Sequence, residues 1–128
     1  MDEVEFLNTV LERADCQLLL DINNVYVNSV NHNYDPEEFL KALPGQRIAY
    51  GHIAGHYNEA EDLLVDTHGA DMVDPVWSLL EKAYNHFGVF PTLLERDFNI
   101  PSIADLLLEV NQIHSIQAKF TTSQEIRV

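Results

Sequence analysis

Short apolar segments alternate with amphipathic ones along this chain, and that alternation limits its fold more than any other feature. Apolar runs predict strands at 16–21, 47–55 and 91–95, the first of them buried on both faces, and a short strand or extended loop at 63–66. Helical periodicity and capping signals predict helices at 2–13, 36–43, 75–88 and 103–113. Strands that alternate with helices form parallel βα units, so the sequence predicts an α/β fold.

The number of βα units leaves two architectures open, a small open α/β sheet or part of a (β/α)8 barrel. A complete barrel takes about 250 residues, whereas this chain has 128. We expect one domain of βα units at 1–114 and a weakly ordered polar tail at 115–128. The Asn-rich segment 23–35 is expected to form a loop.

The charge balance excludes two classes of partner. The chain has 7 Lys and Arg against 21 Asp and Glu, a net charge of −14. Nucleic-acid binding depends on cationic contacts with phosphate, so we expect no nucleic acid. We also expect no membrane association, since a basic patch is lacking and the apolar runs are too short to span a bilayer.

Cysteine usage and the first residues indicate the compartment. Cys16 is the sole cysteine, so no intrachain disulfide can form. The first ten residues are acidic and do not resemble a secretory signal. We therefore expect a cytoplasmic protein, with Cys16 buried as an inert part of the first strand. Trp77 and Tyr84, seven residues apart on a helix, are expected to pack against the sheet.

Polar residues gather where the predicted strands end. They are Asp21, Asn23 and Asn24 after the first strand, His52 and His56 after the second, Asp66 and His68 in the segment beyond it, and Glu95 and Arg96 after the third. In parallel α/β folds, ligands and catalytic residues gather at the carboxyl ends of the strands. Residues far apart in sequence can therefore meet at one site.

The chemistry of these residues favours a metal. Carboxylates and imidazoles without a thiolate suit Fe(II), Mn(II) or Zn(II). Asp66 and His68 are two residues apart, so in an extended segment both point to the same side. Clustered carboxylates repel one another, and a bound cation removes that repulsion.

Simpler interpretations of the same residues stay open. Asp21, with asparagines after it, is also typical of a turn in which the side chain bonds to nearby backbone. Glu95 and Arg96 also fit a strand-end acid beside a structural ion pair. His52 taken alone also fits a half-buried histidine with no ligand.

Four segments between about residue 3 and residue 112 suggest a family: EFLNTVLERADCQLLLDINNVYVNSVNHNYDP, ALPGQRIAYGHIAGH, VDTHGADMVDPVWSLL and PTLLERDFNIP. Together they resemble the multinuclear non-haem iron-dependent oxidases, formerly known only as uncharacterised conserved bacterial proteins. The best-known member is the iron oxidase of methanobactin biosynthesis. The resemblance implies a xylose-isomerase-like TIM barrel with two or three iron ions at its C-terminal face, Mn or Zn being alternatives.

The resemblance also implies an activity. Such oxidases use O2 to modify cysteines of ribosomally made precursor peptides, for example to oxazolone–thioamide pairs, with a small partner protein presenting the peptide. The implied metal ligands are Asp21, His52, Asp66, His68 and Glu95, with Asn24 a weaker candidate and Asn23 an alternative to it. His56 and Arg96 would lie around the ligands or face the substrate. No residue is assigned a catalytic role, because the redox chemistry belongs to the metal.

The chain departs from this family in length, since it matches only the C-terminal half. The implied remaining ligands, two His and a bridging Glu, are absent, and the barrel is incomplete as a single chain. It could be a truncated or split gene product, a fragment, or a half that pairs with its own copy or with a separate amino-terminal half. Whether it is an enzyme is therefore open. The alternatives are a non-catalytic half-barrel or assembly module, and a metal enzyme of sugar-isomerase or hydrolase type.

Overall fold

Helices and strands alternate through most of the chain. The computed structural model describes residues 2–55, 57–60, 63–65, 74–96 and 100–121. The helices are α1 (Glu3–Ala14), α2 (Ile22–Asn31), α3 (Pro36–Lys41), α4 (Asp74–Phe87) and α5 (Ile103–Thr121). The strands are β1 (Leu18–Asp21), β2 (Ile48–Ile53), β3 (Tyr57–Ala60), β4 (Leu63–Val65) and β5 (Thr92–Leu94), and a short 3-10 helix (Gly45–Arg47) precedes β2.

Three strands form a parallel sheet in the order β1-β2-β5, which confirms the predicted α/β class. Leu20 pairs with Gly51 and Asp21 with His52, and His52 pairs in turn with Leu93. Because all three strands run in the same direction, their carboxyl ends lie at one edge of the sheet. This arrangement is consistent with part of a TIM-like fold.

The remaining two strands form a separate antiparallel hairpin, in which Tyr57 lies opposite Val65. β4 of this hairpin lies against α2. The sequence predicted an extended segment at 63–66, but it did not predict the pairing with β3.

Local capping chemistry starts α1 and α3. The Asp2 carboxylate accepts a hydrogen bond from the Glu5 backbone N (2.8 Å), while the Asp2 backbone N donates to the Glu5 carboxylate (3.2 Å). This is a capping box. At α3, the Asp35 carboxylate accepts from the Glu37 backbone N (2.9 Å) and Pro36 occupies the first turn. The helix start predicted at Pro36 is confirmed.

The hydrophobic core lies between one face of the sheet and the helices α2, α4 and α5. Leu20 and Ile53 extend from the sheet into this core, which also contains Trp77 and Tyr84 of α4. Both aromatic residues are buried, as predicted. Gly51 of β2 permits close packing here, because a Cβ atom at this position would lie 2.6 Å from the Phe90 ring.

The opposite face of the sheet is partly exposed to solvent. Leu19, Tyr50 and Leu93 have exposures of 43%, 42% and 55%. Side chains alternate along a strand, and paired residues of parallel strands point the same way, so these three share a face with Asp21 and His52. We call this surface of Leu19, Asp21, Tyr50, His52 and Leu93 the site face. The prediction that the first strand is buried on both faces is therefore wrong.

The Asn-rich segment 23–35 is largely helical rather than a loop, so that prediction is also wrong. Asp21 caps α2, and Ile22 and Val25 bury their side chains in the core at helical spacing. Tertiary packing of this face outweighs the weak helix propensity of asparagine.

Cys16 is exposed, in contrast to the predicted core position. The strand begins at Leu18, so Cys16 lies in the connection after α1. There its backbone oxygen accepts a hydrogen bond from Arg47 Nη1 (3.2 Å).

The last helix does not end near Ile113 as predicted. α5 continues to Thr121, so the predicted tail at 115–128 begins inside a helix; residues 122–128 lie outside the described part of the chain. Ile116 and Phe120 explain the extension, because both pack against the core one turn apart. Within the described ranges, no helix combines the length and apolar character needed to cross a membrane.

Candidate functional site

His52 lies between two carboxylates at the carboxyl edge of the sheet. Its Nε2 is 2.9 Å from Asp21 Oδ2, and its Nδ1 is 2.7 Å from Glu95 Oε2. Asp21 ends β1, His52 lies near the end of β2 and Glu95 directly follows β5. The parallel register and the Glu95 backbone N, which donates to the Ile53 carbonyl (2.9 Å), align the three residues. The structure thus brings Asp21, His52 and Glu95 together.

The two oxygens of Asp21 have different partners. Oδ1 accepts a hydrogen bond from the Asn24 backbone N (2.9 Å) and so caps α2. Oδ2 faces His52. The turn interpretation of Asp21 is therefore confirmed for Oδ1, while Oδ2 is directed towards His52. The capping bond also fixes the orientation of the carboxylate.

The charges of this trio favour a cation. The side chains of Asp21, His52 and Glu95 are 24%, 15% and 28% exposed. A neutral imidazole donates from only one nitrogen, so it can donate a hydrogen bond to only one of the two carboxylates. Partial burial increases the mutual repulsion of the carboxylates. Carboxylate oxygens and imidazole nitrogens are also ligands that Fe(II), Mn(II) and Zn(II) accept, so the donor chemistry fits such a metal.

In this arrangement the imidazole itself fills the space between the carboxylates. Across the described ranges, no three His, Cys, Asp or Glu side chains surround a common metal position. The donor types therefore fit a metal, while the described residues do not by themselves surround a metal position. His56, Asp66 and His68, the other predicted histidine and carboxylate candidates, lie outside the described residues.

The two neighbouring asparagines differ in environment. Asn23 is fully buried, and its Nδ2 donates to the Gly55 carbonyl (3.2 Å) just beyond β2. This bond joins the first turn of α2 to the segment that leaves β2. Asn24 is exposed on the same turn, and its Oδ1 accepts from Asn28 Nδ2 (3.2 Å). Of the two, Asn23 positions backbone and Asn24 lies at the surface beside Asp21.

Arg96 points to α5. Its side chain is 6% exposed, and Nη2 lies 3.3 Å from Glu109 Oε1 of α5. This contact fits the structural ion pair that the sequence left open, although the partner is Glu109 rather than Glu95. The pair connects the end of β5 to α5, directly after the candidate ligand.

Sequence reasoning missed Glu109 and Tyr34. Glu109 is an acid between apolar residues on a helix, and that position is the signal that could have marked it.

Tyr34 lines a cavity of about 180 Å³ that extends along β1 to Asp21. Burial, together with the nearby Glu3 carboxylate, raises the pKa of Tyr34 to about 12. Tyr34 is one of two tyrosines in the Asn-rich stretch 23–35, and the sequence around it gives no comparable signal.

Comparison with known proteins identifies the family. Residues 1–118 match the family described as "RiPP precursor modification enzyme MbnB/TglH/ChrH". Among similar proteins, a UPF0276 protein of Shewanella loihica is 66% identical over 119 residues, which cover 93% of this chain and 43% of that protein. A UPF0276 protein of Shewanella oneidensis is 59% identical over 128 residues, covering 100% of this chain and 46% of that protein.

A more distant relative also matches nearly all of this chain and less than half of its own length. A UPF0276 protein of Pseudomonas aeruginosa is 50% identical over 124 residues, covering 97% of this chain and 44% of that protein. The chain thus spans less than half the length of each of these relatives. With the family match over nearly its whole length, it belongs to the MbnB/TglH/ChrH family of RiPP precursor modification enzymes.

Proposed function

We propose that this chain forms part of the iron site of an O2-dependent oxidase that modifies cysteines of ribosomally made precursor peptides. The observation behind the proposal is the contact of both His52 nitrogens with carboxylates, from Asp21 and Glu95, at the carboxyl edge of a parallel sheet. Family membership supports the peptide substrate. The carboxylate and imidazole donors support iron, with Mn or Zn as alternatives.

Asp21, His52 and Glu95 would hold the metal, and Asp66, His68 and Asn24 complete the proposed ligand set from this chain. Asn23, His56 and Arg96 would lie around the ligands or face the substrate. Bound iron would supply the redox chemistry with O2 and a site for the substrate thiolate.

The protein groups contribute order around the metal. The hydrogen bond from the Asn24 backbone N fixes Asp21 Oδ1, so that Oδ2 is the oxygen presented to the site. The Arg96–Glu109 pair holds the chain directly after Glu95 against α5. Groups that fix ligand orientation in this way raise metal affinity. The peptide, the small presenting partner and the complete (β/α)8 barrel belong to the proposal for the whole protein, since this chain spans 43% of the Shewanella loihica relative.

Anaerobic titration with Fe(II) tests the proposal. His52→Ala should weaken iron binding at least about 100-fold, because even changes to groups that only orient ligands cost about 10- to 100-fold. His86→Ala is the matched control, since His86 is an exposed histidine on α4. Equal iron affinity in both variants would refute the site.

Two further measurements separate the alternatives. Iron binding without O2 consumption in the presence of a cysteine-containing precursor peptide would indicate a non-catalytic half-barrel or assembly module. A preference for Mn(II), Co(II) or Mg(II) over Fe(II), again without O2 consumption, would indicate chemistry of the sugar-isomerase or hydrolase type.

A further inference from the structure

Asn23 is a polar residue in the interior of the fold. It lies on the first turn of α2, soon after Asp21, and it is fully buried. An amide side chain loses free energy on burial unless its polar atoms are hydrogen-bonded. The Nδ2 of Asn23 donates to the Gly55 carbonyl at 3.2 Å, across a sequence separation of 32 residues. The buried amide therefore connects two distant parts of the chain.

The Gly55 carbonyl lies just beyond the point where the pairing of β1 with β2 ends. The last paired residues are Asp21 and His52, because the chain passes directly from β1 into α2. Gly55 is buried, so its carbonyl needs a hydrogen-bond partner that the backbone of β1 no longer provides. The Asn23 side chain supplies that partner and continues the connection between the two chain segments past the end of the ladder.

Gly55 also connects β2 to the hairpin of β3 and β4. β3 begins at Tyr57, directly after this connection, and β4 of the hairpin lies against α2. In the sequence, the candidate ligand Asp66 directly follows β4. The helix α2 thus holds the hairpin in two ways, by packing against β4 and by the bond from Asn23 to Gly55.

The residue types in the first turn of α2 agree with a need for an amide there. Every other α-helix of the described structure has an acidic residue in its first turn, where the helix dipole favours one, but α2 has none beyond its Asp21 cap. Acids are common in this chain, which has 21 Asp and Glu. A carboxylate in place of the Asn23 amide would set an acceptor against the Gly55 carbonyl oxygen, whereas the amide donates to it.

We propose that Asn23 is a positioning residue of the candidate metal site, which holds the chain leaving β2 at a fixed position relative to the helix that Asp21 caps. One turn of α2 then orders two parts of the site. The Asn24 backbone N orients the Asp21 carboxylate, and the Asn23 side chain holds Gly55, in the segment that follows His52. The effect on iron rests on the proposed function, whereas the attachment of the hairpin does not.

Hydrogen exchange of the metal-free chain tests the attachment. Asn23→Leu keeps a side chain of similar shape and removes the donor, so the amides of β3 and β4 should exchange about 10-fold faster. Asn23→Ala removes the same donor without a bulky replacement and should agree. Ser29→Ala is the matched control, because Ser29 is also buried on α2 but its Oγ donates within the helix, to the Tyr26 carbonyl (2.6 Å).

Circular dichroism establishes that the variants are folded. The hairpin amides of Ser29→Ala should exchange as in the wild type. Wild-type exchange of the hairpin in both Asn23 variants would overturn the proposal. Equal acceleration in the Asn23 variants and in Ser29→Ala would overturn it too, since the effect would then be general destabilisation of α2.

Anaerobic Fe(II) titration of the same variants separates positioning from ligation. Asn23→Leu should bind iron about 10- to 100-fold more weakly, as expected for a group that orders the ligands, and Ser29→Ala should bind it normally. Weaker iron binding with unchanged hairpin exchange would overturn the proposal and identify Asn23 as a direct ligand. Faster exchange with wild-type iron affinity would overturn the positioning role. A wild-type chain that binds no Fe(II) would count against the proposed function, and the exchange rates would still decide the attachment.

Discussion

Substitutions at Asp21 should separate helix capping from metal binding, because the two carboxylate oxygens have different partners. Oδ1 accepts from the Asn24 backbone N at 2.9 Å, and Oδ2 lies 2.9 Å from His52 Nε2. Asparagine caps helices about as well as aspartate. Asp21→Asn therefore keeps the cap and removes the anionic oxygen from the site, whereas Asp21→Ala removes both.

The expected magnitudes follow from these contacts. Loss of the cap in Asp21→Ala should lower the free energy of unfolding by about 1 kcal/mol, which corresponds to a melting temperature about 4 °C lower for a domain of this size. Asp21→Asn should stay within about 0.5 kcal/mol of the wild type. Both variants should bind Fe(II) at least about 100-fold more weakly.

Urea denaturation gives the stabilities, and anaerobic Fe(II) titration gives the affinities. Asp35→Ala is the matched control, because the Asp35 carboxylate caps α3 through a 2.9 Å bond from the Glu37 backbone N and lies outside the candidate site. It should lose a similar free energy and keep its iron affinity. Wild-type iron affinity in Asp21→Asn would refute the assignment of Oδ2 to the metal.

Two other predictions concern the surroundings of the site. Arg96→Met should lower the free energy of unfolding by about 2–3 kcal/mol. The Glu109 side chain is only 17% exposed, and this substitution removes the guanidinium that faces its carboxylate. Lys119→Met, at a surface pair whose side chains are 56% and 43% exposed, should cost less than about 1 kcal/mol in the same urea assay, and equal losses would contradict this account. For Tyr34, a pKa raised from 10.0 to about 12 means that the folded protein keeps the phenol proton at a pH where the unfolded chain loses it. Stability should therefore fall as the pH rises from about 10 towards 12, and Tyr34→Phe should lack that part of the decline; a stability difference between the two proteins that does not change with pH would refute it.

The elements that sequence predicts well here are those fixed by local chemistry. Pro36 after Asp35 locates the start of α3, and apolar runs locate the three strands of the parallel sheet. The convergence of Asp21, His52 and Glu95 was also predictable, because the carboxyl ends of neighbouring parallel strands must share an edge.

Exposure was harder to predict, because it depends on which other parts of a protein cover a surface. Leu19 lies in the run LLLD and looks like a core residue, yet it is 43% exposed on the site face. Cys16 precedes the same run and is exposed as well. Periodicity shows which residues share a face and leaves open whether that face is covered.

Neighbours in sequence also differ in ways that sequence alone does not resolve. Asn23 and Asn24 are adjacent, but successive helical residues point about 100° apart, so one is buried and the other exposed. Arg96 follows Glu95, but its guanidinium lies beside Glu109, thirteen residues further along the chain. Long-range partners of this kind become visible only once α5 is packed.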